Sequence, residues 1–250
     1  MANGNKAIYI WPNLVTTASL CCGFMAILSA IQGKFIGGAM LIFFSMVFDG
    51  LDGRVARWTN TESEFGVQYD SLADLVAFGV APAMLVHQWS LHFVNVLPAV
   101  PSKLGAMVAF IYVTCTALRL ARFNVQTESA DKRFFTGLPS PSAAATVAGF
   151  VWVAQHYGWS GRSAFFLSLS LVITLLSALA MVCNLPYYSF KTFKLEQSIP
   201  FNKAVVPALV IGLIWLKPSL VLFSIFALYA LHAPALSLWR AQRRRRRPDA

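Results

Sequence analysis

Apolar runs long enough to cross a bilayer recur along nearly the whole chain, and nothing else in the sequence limits its fold so strongly. They fall at roughly residues 12–32, 35–50, 70–91, 104–123, 139–158, 163–186, 203–217 and 219–239. Backbone inside hydrocarbon has no water to bond, so each run must satisfy its own N–H and C=O groups as a helix. The expected fold is all-α: a polytopic transmembrane helical bundle of about eight spans, the second and seventh of them short. Composition agrees, because 57% hydrophobic residues, 12% charged ones and a mean hydropathy of +0.61 exclude an ordinary soluble domain.

The net charge of +10 reads as topology, not as affinity for nucleic acid. With an even number of spans, all of the 20 lysines and arginines except Lys34, Lys103, Arg162 and Lys217 fall on the side of the N-terminus. That asymmetry predicts an integral protein of the cytoplasmic (inner) membrane with both termini in the cytoplasm. Arg243 to Arg247 would lie against anionic head groups, or act simply as a stop-transfer anchor. No cleavable signal is expected, since the run after Trp11-Pro12-Asn13 is too long for a signal-peptide core. Cys21, Cys22, Cys115 and Cys183 fall in apolar runs and read as packing residues. Gly37-Gly38, Ala77, Gly79, Ala81 and Ala143 to Ala145 would let helices approach closely.

Against this background one stretch stands out: Asp49-Gly-Leu-Asp52-Gly53-Arg-Val-Ala56-Arg57, eight residues, then Gly66-Val-Gln-Tyr-Asp70-Ser-Leu-Ala-Asp74. Its fixed positions hold four of the ten acidic residues, at the joined ends of the second and third runs. Carboxylates at the edge of a membrane are costly and mark a functional site. Asp49 and Asp52 are spaced i, i+3 and Asp70 and Asp74 i, i+4, so each pair shares a helix face. Two such helices facing one another converge four negative charges, which need a counter-charge. Oxygen ligands select hard divalent cations, and four carboxylates could neutralise two of them, a device suited to displacement at phosphorus. Gly53 and Gly66 would leave room for a ligand, Ala56 keeps that face narrow, and the Arg57 fork suits phosphate oxygens.

The stretch resembles the signature of the CDP-alcohol phosphatidyltransferase family at every fixed position: both glycines, the alanine, the arginine, all four aspartates and the gap. The resemblance implies transfer from a CDP-linked lipid, two divalent cations (Mg²⁺ or Mn²⁺) held by Asp49, Asp52, Asp70 and Asp74, and a homodimer. It makes Asp74 the catalytic base, although spacing alone does not separate Asp74 from Asp70. It places the donor against Gly53, Ala56, Arg57 and Gly66, with Ser63 a small hydroxyl residue beside it. Asn13 reads as a further donor contact and Thr16 as a helix cap. The family core has six spans, so the chain would be one domain: a core of about 11–200, two extra spans at about 203–239 and a basic tail at 240–250.

The motif does not choose the acceptor alcohol. Pro12-Asn13-Leu-Val-Thr16-Thr17, Ala117-Leu-Arg119-Leu-Ala-Arg122-Phe-Asn124, Phe135-Thr-Gly137-Leu-Pro139-Ser-Pro141 and Asn184-Leu-Pro186-Tyr-Tyr together resemble the phosphatidylserine synthase branch. That resemblance implies CDP-diacylglycerol and L-serine as substrates. Serine carries a carboxylate, and Arg119 and Arg122, at i, i+3, could orient it with the hydroxyl toward the metals. The arginines could also serve topology alone, and a glycerol-phosphate acceptor would want cations too, so a phosphatidylglycerophosphate synthase stays open. A divalent-cation transporter is the rival of another class; its ligands would sit near the bilayer midplane and away from cations such as Arg54 and Arg57.

Overall fold

A computed structural model describes residues 10–59, 63–98, 100–125, 134–188, 209 and 211–245. Its helices are α1 (Ile10–Ile31), α2 (Phe35–Thr59), α3 (Glu64–Asp74), α4 (Ala81–Trp89), α5 (Leu104–Val125), α6 (Ser140–His156), α7 (Ala164–Val182) and α8 (Pro218–Arg245). A π-helical segment, Leu75–Val80, joins α3 to α4, and a 3₁₀ turn, Leu91–Val96, follows α4. The chain is a helical integral membrane protein. Among the described residues, six helical segments are long and apolar enough to cross a membrane: Asn13–Ile31, Phe35–Arg54, Glu64–Trp89, Leu104–Val125, Ala164–Val182 and Pro218–Ser237.

The eight expected runs map onto these elements with instructive differences. The fifth run is α6, a helix of 17 residues in which every residue from Ser142 to Ala154 is buried. α6 is the central post, flanked by α2, α4, α7 and α8. In the seventh run 203–208 and 210 lie outside the described residues, and 209 and 211–216 are helical. The second run is not short: α2 continues to Thr59, beyond its apolar part, because hydropathy falls before helical geometry does. Cys183 lies one residue past α7 rather than inside a span.

Small residues are found where helices touch. Ala77, Ala81 and Ala143 to Ala145 are fully buried, and Gly38 fits against Leu85 and the Ala26 carbonyl, whereas Gly37 meets no neighbour. Ser19 and Ser45 bond each other's hydroxyls at 2.7 Å and fasten α1 to α2. Cross-helix hydroxyl bonds of this kind hold apolar helices together where hydrocarbon provides no hydrophobic drive.

Two prolines inside spans expose backbone carbonyls, and two buried tyrosines satisfy them. Pro82 lacks the N–H that the Phe78 carbonyl would accept in a regular helix. The helix widens there, with the Ala81 N–H reaching back to Val76, and the Tyr112 hydroxyl donates to Phe78 O at 3.2 Å. Pro234 likewise strands the Ala230 carbonyl in α8, and the Tyr187 hydroxyl donates to it at 3.1 Å. Burial pushes the Tyr187 phenol above its usual range, so it stays a donor.

One element was not expected in an all-α chain. Phe134–Thr136 (β1) and Pro186–Tyr188 (β2) pair antiparallel, Phe134 opposite Tyr188 and Thr136 opposite Pro186. Gly137, at φ +86°, turns the chain from β1 toward α6, where a Cβ would collide with the Met181 carbonyl. The ribbon fixes the start of α6 to the end of α7, and with them two of the segments that suggested the serine branch.

Candidate active site

The carboxylates come from two helices that meet at one connection. α2 carries Asp49 and Asp52 on its last turns, and α3 carries Asp70 and Asp74. α3 starts cleanly because Ser63 is its N-cap: its hydroxyl accepts from the Gly66 N–H at 3.0 Å, and Glu64 complements the helix's positive end.

Oxygens of Asp49, Asp70 and Asp74 lie within 4.8 Å of one another, the spacing of ligands around a cation. The fourth carboxylate is adjacent. Asp52 shares a side-chain hydrogen bond with Asp70, and Asp49 one with Asp74, so each aspartate of α2 meets one of α3. Carboxylates so close repel unless a cation or a proton lies among them. The donor set is oxygen only, which fits a hard divalent ion.

Asp52 is the most buried of the four, with 7% of its surface exposed. The Thr16 hydroxyl donates to its Oδ2 at 3.1 Å, and the Gly53 N–H donates to the same carboxylate. This corrects the expectation that Thr16 caps α1. The helix begins at Ile10, six residues earlier, and Thr16 is spent on the site. Asn13 lies on the same helix, its Oδ1 facing Gly66. Thr17 bonds the Tyr69 hydroxyl at 2.9 Å, which ties α1 to α3 one residue before Asp70.

Around Gly53 a Cβ would meet none of the described residues within 4 Å. Gly66 is less open, since Ser63 and Asn13 stand over it. Ala56 and Arg57 continue α2 beyond Gly53; their side chains lie outside the described residues.

The opposite wall is cationic. Arg119 is partly buried, donates to the Ser140 hydroxyl at 2.6 Å, and lies within electrostatic reach of Asp74 and Asp49. Arg122 is turned aside and donates to Asn184 Oδ1 at 2.9 Å. Two residues beyond, Asn124 donates to the Ser71 hydroxyl at 3.0 Å, which locks the end of α5 to α3. Among the described contacts, Arg119 therefore bonds α6 and Arg122 bonds the residues after α7. The sequence reading missed Ser71 and Ser140, because their spacing carries no pattern.

Comparison with known proteins agrees with this geometry. The family model described as CDP-alcohol phosphatidyltransferase matches residues 9–187. A CDP-diacylglycerol–serine O-phosphatidyltransferase of Helicobacter pylori is 34% identical over 226 residues, 90% of this chain and 90% of that one. Its counterpart in Mycobacterium bovis is 30% identical over 235 residues, 91% of this chain and 78% of the other. An archaetidylserine synthase of Methanothermobacter thermautotrophicus is 35% identical over 170 residues, 67% of each chain.

Proposed function

Because the chain belongs to the CDP-alcohol phosphatidyltransferase family, we propose that it transfers the phosphatidyl group of CDP-diacylglycerol to the hydroxyl of L-serine. The products are phosphatidylserine and CMP. The choice of serine rests on one observation: relatives from bacteria and an archaeon, matching from two thirds to nine tenths of this chain, bear serine-transferase names.

The chain acts as one membrane domain, with the carboxylates and both termini facing the cytoplasm, where the nucleotide and serine are found. Asp49, Asp52, Asp70 and Asp74 would hold two divalent cations, Mg²⁺ or Mn²⁺; the mutual approach of their oxygens supports this. Bound there, such ions would offset the charge of the pyrophosphate and of the departing CMP. Thr16 and the Gly53 N–H fix the Asp52 carboxylate before substrate arrives.

The nucleotide diphosphate enters beside Gly53, where a Cβ would meet none of the described residues within 4 Å. Arg57, Ala56, Ser63, Gly66 and Asn13 would bind that group. Asp74 takes the proton of the serine hydroxyl as its oxygen forms the new bond to phosphorus. The bond from that phosphorus to the bridging oxygen breaks, and CMP leaves with the electron pair. Arg119 holds the serine carboxylate, with Arg122 as a second cation on the same helix. The acyl chains stay in the bilayer throughout, and the working unit is a homodimer.

An acceptor panel tests the assignment. The purified protein is incubated with CDP-diacylglycerol, Mn²⁺ or Mg²⁺, and L-serine, glycerol 3-phosphate or inositol in turn, and CMP release is followed. Serine should support turnover and the others should not. Preference for glycerol 3-phosphate would withdraw serine and leave only the family.

A further inference from the structure

Ser140 is fully buried at the start of α6, and its hydroxyl accepts from Arg119 Nη1 at 2.6 Å. The backbone that carries it is fixed on both sides. The Gly137 N–H bonds the Leu185 carbonyl at 2.9 Å and the Leu138 N–H bonds the Ala180 carbonyl at 2.8 Å. Those bonds tie the approach to α6 onto the end of α7. Pro139 and Pro141 flank Ser140, and each ring locks its own φ. Behind Ser140 the helix is buried throughout from Ser142 to Ala154. The hydroxyl is therefore a stationary point. Its partner is the movable one, a guanidinium on a long stem with many rotamers.

Two contacts set the level of Arg119 along the bundle. A Cβ on Gly79 would stand 3.3 Å from the Thr116 methyl, and Asn124 donates to the Ser71 hydroxyl at 3.0 Å. α5 thus runs antiparallel to α3 and the π-helical segment, with Arg119 and Asp74 both between these two contacts. The two residues are therefore within about one helical turn of the same level. Only some rotamers of an arginine there aim its fork at a ligand beside Asp74. A guanidinium has five N–H donors, so a bond from one of them selects a rotamer without exhausting the fork. Holding the side chain in advance also spares part of the ordering cost when a ligand binds.

We propose that Ser140 is a positioning residue for the acceptor: its hydroxyl holds the Arg119 guanidinium level with Asp74, so that the fork meets the acceptor carboxylate while the acceptor hydroxyl lies at Asp74. The proposal rests on the serine reading above and on the role given there to Arg119. It gives the β ribbon and the start of α6 a part in choosing the acceptor, since they fix the point from which the arginine is held.

Ser140→Ala in the full-length protein tests this, with initial CMP release measured against serine, serinol and CDP-diacylglycerol. Loss of a hydrogen bond to a charged group should raise the serine KM by about tenfold. The CDP-diacylglycerol KM should stay near wild type, and so should turnover with serinol, which has no carboxylate for the arginine to meet. Adding Ser140→Ala to Arg119→Ala should change the serine KM no further, because the residue through which Ser140 acts is already gone. Should Ser140→Ala not fold, Ser140→Cys, whose thiol is a weak acceptor, replaces it with the same expectations. An unchanged serine KM in whichever variant folds, beside a raised one in Arg119→Ala, overturns the proposal and leaves the role of Arg119 intact. Equal losses for serine and serinol, or additive losses in the double variant, assign Ser140 to packing and overturn it too. An unchanged serine KM in Arg119→Ala would instead remove the reading on which the proposal stands.

Discussion

The Thr16 hydroxyl donates to Asp52 Oδ2 at 3.1 Å, a bond from the second turn of α1 to the most buried carboxylate of the cluster. It immobilises the one aspartate whose oxygens lie outside the tightest trio. Supporting bonds of this kind usually change metal affinity by about 10–100-fold when removed. Thr16→Val should therefore raise the Mn²⁺ concentration needed for half-maximal CMP release by about that factor. Thr16→Ser, which keeps the hydroxyl, should stay near wild type. Equal metal dependence in all three proteins would show that Thr16 serves packing alone.

Chelation gives a broader test of the same cluster. The Asp49, Asp70 and Asp74 oxygens crowd within 4.8 Å, and a pyrophosphate would add to their repulsion. EDTA should abolish CMP release, and added Mg²⁺ or Mn²⁺ should restore it. Turnover that persists in metal-free buffer would be incompatible with the proposed chemistry.

The four aspartates were legible in the sequence because i, i+3 and i, i+4 spacing fixes a helix face whatever surrounds it. Thr16, Ser71 and Ser140 were not legible. Each is a hydroxyl whose spacing carries no pattern, and its partner is 21 to 53 residues away. The end of α2 was misplaced because hydropathy stops at the membrane edge while the helix runs on to Thr59. The β ribbon escaped notice because three-residue strands carry too few positions for an alternating pattern. Pro82 and Pro234 did give a signal: a proline within a span strands the carbonyl four residues earlier. Which tyrosine would answer was a tertiary fact.

Tyr112 makes that last point measurable. Its hydroxyl is the donor for a Phe78 carbonyl that Pro82 leaves without its helical partner. Tyr112→Phe should destabilise the fold by about 1–3 kcal/mol, the cost of a buried group left unbonded. A thermal unfolding scan in detergent would register it. Replacing Pro82 by Ala in the same protein should recover part of the loss, since the backbone N–H is then available. No recovery would mean that the π-helical segment is held by other contacts.

Asp74 and Asp70 differ in surroundings more than in chemistry. Asp74 bonds Asp49 across the helices and lies within reach of Arg119. Asp74→Asn keeps the shape and removes the base, so kcat should fall by about 10²–10⁴-fold with a smaller change in the CDP-diacylglycerol KM. Near-normal turnover would move the base to Asp70.

Arg119 and Arg122 share a helix face in sequence, and each bonds a different residue in the structure. Arg119 turns inward, to Ser140 at 2.6 Å and toward Asp74; Arg122 turns to Asn184 at 2.9 Å. If one of them reads the serine carboxylate, it should be the inner one. Removing one partner of a desolvated charge pair costs on the order of 2–5 kcal/mol, a factor of about thirty or more in affinity. Arg119→Ala should raise the serine KM by at least that factor, and Arg122→Ala by much less, while both leave the CDP-diacylglycerol KM nearly unchanged. Serinol, which keeps the amine and a hydroxyl but has no carboxylate, should be a poor acceptor for the wild-type protein. It should lose little further in Arg119→Ala, because the group the arginine recognises is already absent. Equal losses for serine and serinol would mean that Arg119 positions Asp74 or the helices rather than the acceptor.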